Sequence, residues 1–160
     1  MKYISIFFSV LFILLLGSCS STDYSKNILP KKGTYVVTIK SPQDYPQEVG
    51  DSIYKYFHNT QPGAPDLQMV SGGKLPEYSL DISYESNPIK YGGQDCFFYS
   101  VKVTRCKFGT QKPLAEAYMT QNCVKKTLTE ALPQMLEAII KNQPLNMGYS
   151  GALNFNVLKG

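Results

Sequence analysis

Glu77 to Glu85 reads EYSLDISYE, and its alternation decides the fold. Tyr78, Leu80, Ile82 and Tyr84 fall on one side of an extended chain, while Glu77, Ser79, Asp81, Ser83 and Glu85 fall on the other. Successive side chains of a strand point to opposite faces, so this segment predicts a strand with one buried and one wet face. Downstream, a loop with Asn87-Pro88 and Gly92-Gly93 leads into Cys96 to Phe108. There Phe97, Tyr99, Val101 and Val103 point one way and Ser100, Lys102 and Thr104 the other. Gly109 to Pro113, GTQKP, is a turn, and Leu114 to Gln121 returns as the second arm of an antiparallel hairpin.

Working upstream, Leu67 to Val70 predicts a short strand closed by Ser71-Gly72-Gly73, behind a loop over Thr60 to Asp66. A helix of about 13 residues precedes that loop, with Asp44 as cap, Pro46 in the first turn and Gln47 at the capping-box position. Val49, Ile53 and Phe57 make its apolar stripe, which ends near His58-Asn59. Thr34 to Lys40, TYVVTIK, is β-branched and alternating and predicts the first strand, broken by Ser41-Pro42-Gln43.

On the C-terminal side, Asn122 to Asn142 carries Val124, Leu128, Leu132, Met135, Leu136, Ile139 and Ile140 on one helical stripe. The stripe keeps its phase through Pro133. It reads either as one helix kinked there, with the freed carbonyl on water, or as a turn followed by a new helix starting at Pro133. Gln143-Pro144 stops it. Residues 143–160 form an arm or a late edge strand, since Leu153, Phe155 and Val157 alternate with Asn154 and Asn156. The order is thus β-α-β-β-β-β-α with an optional final strand. An antiparallel sheet of four to five strands with two helices on one face would bury both stripes, which makes residues 34–142 an α+β two-layer sandwich.

Composition narrows the chemistry. The chain has 160 residues, 43% of them hydrophobic, with Lys+Arg 16 against Asp+Glu 12. This suits one domain of modest core and excludes a disordered chain or a large multidomain enzyme. The single histidine, His58, cannot build a multi-His metal site, and at the polar end of a helix it reads as solvated. No Gly-rich nucleophile turn precedes any cysteine, and Ser71-Gly72-Gly73-Lys74 lacks the spacing of a phosphate loop. Asp81 and Glu85 on the wet strand face read as solubility charges rather than a glycosidase pair. No catalytic, cofactor-binding or metal-binding residue is therefore assigned. The densest basic groups, Lys31-Lys32, Arg105-Cys106-Lys107 and Lys125-Lys126, are too sparse for nucleic acid.

The first nineteen residues give an address. Lys2 supplies a positive charge, and Ile4 to Leu16 is apolar except for Ser5 and Ser9. That run is shorter than the roughly 20 residues of a membrane span but suits the h-region of a secretory signal. It ends in Leu16-Gly17-Ser18-Cys19, which resembles the lipobox of bacterial lipoproteins. The resemblance implies cleavage after residue 18, lipidation of Cys19 and anchoring through two or three acyl chains, enough for stable attachment. Ser20 rather than Asp after that cysteine implies, by the usual sorting pattern, the outer membrane on its periplasmic side. Residues 19–33 predict a flexible tether, punctuated by Pro30 and Gly33. The element order behind a lipobox is similar to small envelope-assembly lipoproteins of the lipopolysaccharide-assembly and curli-secretion types. That likeness is topological and carries over no functional residue.

Once Cys19 is spent on lipid, Cys96, Cys106 and Cys123 remain, and an oxidising compartment favours a disulfide. Cys96 and Cys123 lie at the open end of the hairpin and Cys106 beside its turn. Parity places Cys96 and Cys123 on opposite faces, so their bond requires a bulge or a strand end near Cys123. Another pairing and no bridge are the alternatives. Tyr54, Tyr56, Tyr84, Tyr91 and Tyr99 serve either as an amphipathic contact surface or as core aromatics with their hydroxyls at the edge. Two functions follow. One is a non-catalytic structural or assembly subunit that docks on an envelope partner through a sheet edge or the arm. The other is a periplasmic binder of glycan, lipid or small ligand.

Overall fold

The computed structural model describes residues 27–30, 34–40, 45–60 and 75–157. Within them the chain forms β1 (Tyr35–Ile39), α1 (Gln47–Thr60), β2 (Tyr78–Tyr91), β3 (Gln94–Lys107), β4 (Pro113–Val124), α2 (Leu128–Lys141) and β5 (Ser150–Val157). It is an α+β fold, as the alternation and the two helical stripes require. The five strands lie in sequence order, with β1 parallel to β2 and every other pair antiparallel. The optional last strand is present as β5, paired with β4. The strand expected at Leu67–Val70 lies outside the described residues, as do Cys19, the leader before it and Asp44.

One core holds the two layers together. Leu80, Ile82, Val101, Val103, Ala117 and Met119 from the sheet meet Val49, Ile53 and Phe57 of α1 and Leu132, Met135, Leu136 and Ile139 of α2. These are the residues that the two periodicities single out. α2 is one helix with Pro133 inside it. Proline has no N–H to offer the carbonyl four residues back, that of Thr129. The Ser52 hydroxyl of α1 donates to that carbonyl at 3.2 Å, so a neighbouring helix takes the place expected for water.

Three boundaries depart from expectation, each for a local reason. β2 continues through Asn87-Pro88, with Pro88 opposite Phe97, and the chain turns instead at Gly92 (φ 56°) and Gly93 (φ 79°). β1 ends opposite Ile82, so beyond it β2 has a free edge where a missing N–H removes no ladder bond. Two positive-φ residues form the tight turn whose twist matches an antiparallel pair, and glycine adopts them without steric cost. β4 likewise runs past Gln121 to Val124, and α2 starts only at Leu128. Glu130 accepts the backbone N–H of Thr127 at 3.0 Å and its hydroxyl at 2.8 Å, which sets that start.

Within the segment 19–33 read as a tether, residues 27–30 are described, and they pack on the domain. Ile28 is fully buried in the core, Leu29 packs on it, and the Leu29 carbonyl accepts a bond from the Arg105 guanidinium at 3.1 Å. Arg105 also stands over the Tyr78 ring, 5.9 Å from its centre. Burial lowers its pKa, and its Nε is buried without a partner.

Candidate functional site

The far end of the β2–β3 hairpin carries a site-like feature. Tyr91, Gly92, Gln94, Cys123, Lys125, Lys126, Met147, Gly148 and Tyr149 line an open recess of about 600 Å³. Tyr91 is 46% and Tyr149 67% exposed, more than any other tyrosine or phenylalanine ring among the described residues. Their ring centres lie 4.4 Å apart at 41°, and a hydrogen bond between their hydroxyls holds the Tyr91 phenol above its usual pKa.

Each wall has a local cause. Tyr91 ends a strand because Gly92-Gly93 reverses the chain. Tyr149 is brought back from beyond α2 by Gln121, a fully buried amide on the inward face of β4. Its Nε2 donates to the Leu145 carbonyl at 2.7 Å and its Oε1 accepts from the Met147 N–H at 2.9 Å. The Tyr149 N–H then bonds the Asn122 carbonyl at 2.8 Å. The approach is so close that a Cβ on Gly148 would meet the Asn122 carbonyl, and one on Gly151 would meet the Gln121 side chain. Residues 145–149 are therefore a fitted strap that continues into β5. Gln121 shares its face with Ala115, Ala117 and Met119, and its partners, 24 and 26 residues away, leave no local signal in the sequence.

One lining residue, Cys123, belongs to a disulfide. Cys96 and Cys123 are bonded, with Cα atoms 4.8 Å apart. The parity conflict is resolved by a bulge: Tyr99 pairs with Gln121 but Phe97 with Val124, so β4 has one residue more than β3 over that step. Cys123, with φ 54°, lies in the bulge and is turned towards Cys96. Closing a loop of 27-residue separation stabilises by about 3.5 kcal/mol in the chain-entropy account.

Cys106 is free and buried on the other side of the sheet from the helices. Its thiol donates to Asp81 Oδ2 at 3.8 Å, and the same oxygen accepts Lys40 Nζ at 2.5 Å. Asp81 is only 9% exposed, so it is a buried partner of a cation and a thiol rather than a solubility charge. Burial first, and the Asp81 charge second, raise the Cys106 pKa. Lys102 and Glu116 pair at 2.6 Å nearby, and these groups line a shallower hollow of about 350 Å³.

The remaining expectations sort simply. His58 is exposed in the last turn of α1. Tyr56 and Tyr99 are buried in the core and Tyr54 and Tyr84 pack against it, so four of the five tyrosines are core aromatics and Tyr91 alone is a surface group. Glu85 is exposed and apart from the Asp81 network. Ser71 to Lys74 lies outside the described residues. Among the described residues no group of three or more His, Cys, Asp or Glu could hold a metal, and no helix is long and apolar enough to cross a membrane. Comparison with known protein families, curated proteins and solved structures gives no match.

Proposed function

We propose that the chain is a bacterial lipoprotein, lipidated at Cys19 and held at the periplasmic side of the outer membrane, where it is a non-catalytic structural or assembly subunit of a cell-envelope complex. The observation that carries this reading is Leu16-Gly17-Ser18-Cys19 closing an apolar run of signal-peptide length. The disulfide supports an oxidising compartment. The burial of Ile28 supports a short link to the bilayer: seven residues lie between Cys19 and Asn27, and the eight steps reach at most about 28 Å. β5 lies at the edge of the sheet, and Ser150–Val157 contains no charged residue to discourage strand addition by a partner.

Intact-mass measurement of protein from the native host tests the proposal. The expected amino terminus is Cys19 carrying diacylglycerol, and Cys19→Ala is expected to accumulate as uncleaved precursor. An unmodified terminus, or retention of residues 1–18 by the wild type, would overturn it. A second reading, a periplasmic ligand binder, is favoured by the tyrosine-walled recess at the disulfide end.

A further inference from the structure

The recess combines three things seldom found together by chance of packing. Two exposed tyrosine rings pack on each other with centres 4.4 Å apart, and Lys125 and Lys126 stand exposed on the same rim. The walls are fixed by a disulfide, a glycine turn and the Gln121 strap. At about 600 Å³ it falls within the usual range for small-ligand sites. It is open, so a ligand bound there keeps one side in water.

That combination selects a chemistry. An enclosed apolar ligand would need a closed cavity. A sugar ring instead presents one C–H face to an aromatic ring while its hydroxyls stay hydrated, which suits a shallow site with tyrosine walls. The two ammonium groups add a preference for negative charge. Lys126 donates to Gln134 at 3.2 Å, which holds its stem near the rim, and Lys125 forms no ion pair among the described residues. We propose that this recess binds an acidic saccharide, with a sugar ring laid on an outward face of the Tyr91–Tyr149 pair and a carboxylate or phosphate against Lys125 and Lys126. This rests on the ligand-binding reading of the recess, not on the lipid anchor.

The site also has a direction. Leu29 and Arg105 lie near the Tyr78 end of β2 and the recess at its Tyr91 end. Arg105 and the recess residue Gln94 lie eleven residues apart on β3, a distance of about 36 Å. On the proposed anchoring at Cys19, the recess would lie at the end of the sheet remote from Leu29.

The test is an NMR titration of the full protein, purified with its native amino terminus in detergent. The probes are the disaccharide of N-acetylglucosamine and N-acetylmuramic acid, which carries a carboxylate, and the neutral N,N′-diacetylchitobiose. Saturable shifts are expected on Gly92, Met147, Gly148 and Tyr149 with the acidic probe, with affinity about ten-fold above the neutral one. Tyr149→Ala is expected to weaken binding about five-fold or more while leaving the melting temperature unchanged, as befits an exposed ring. Lys125→Gln is expected to shrink the acidic preference. Equal affinity for both probes at these residues would overturn the acidic class and leave a saccharide site standing. No saturable shift up to about 10 mM, or shifts confined elsewhere, would overturn the proposal and the ligand-binding reading together.

Discussion

Cys106 shows how its surroundings hold one thiol in the neutral form. A thiol reacts as the thiolate, and this one is buried with its proton directed at Asp81, so both desolvation and a neighbouring negative charge keep it neutral. The same carboxylate accepts Lys40, and that hydrogen bond raises the Lys40 pKa. Both groups hold their protons more tightly in the folded chain than in the unfolded one. Their stabilisation is therefore complete below the ordinary thiol and lysine values and is lost as pH rises through the raised ones. The urea midpoint is expected to stay level from about pH 6 to 8 and to fall between about pH 9 and 11. Cys106→Ala, which leaves Lys40, Asp81 and Glu116 in place, is expected to flatten part of that fall. A profile that overlays the wild type would show that the thiol proton contributes nothing.

At the scale of elements, the strap over residues 145–149 depends on one amide. Gln121→Leu keeps the shape of the side chain but leaves the Leu145 carbonyl and the Met147 N–H without partners. The expected result is a loss of about 1–3 kcal/mol and faster hydrogen exchange at Met147 and Tyr149, while β2 and β3 keep their protection. Unchanged exchange at those amides would contradict the strap. The contrast with β2 explains what a sequence can reveal here. Alternation from Tyr78 to Tyr84 is a local signal, as are the stripes of Ile53 and Leu132, and each produced the right element. Pro88 and Asn87 signalled a loop because the rule against strand proline holds for paired edges, and nothing local told that β1 stops at Ile39. Val124 was in phase with a helix and is a strand residue, because the bulge at Cys123 shifts the ladder by one. For the recess, the glycine turn and the cysteine pair were legible. Tyr149 was not, since its position follows from contacts with Asn122 and Gln121 across an intervening helix.

For the whole molecule, the decisive residue is Ile28. It lies outside every strand and helix, yet it is as buried as Ile53 or Leu136. Ile28→Ala is expected to cost about 2–5 kcal/mol, as a cavity in a packed core does. Thermal unfolding followed by far-UV circular dichroism measures it, and a loss below about 0.5 kcal/mol would mean that the residue is not seated. The same placement has a mechanical consequence under the proposed anchoring at Cys19, with the proposed ligand held at the Tyr91 end. Tension between the two runs along the strands. It meets the isoleucine plug first and then pulls the parallel rungs of β1 and β2 in shear, all at once rather than one after another, which is the direction in which a sheet yields last.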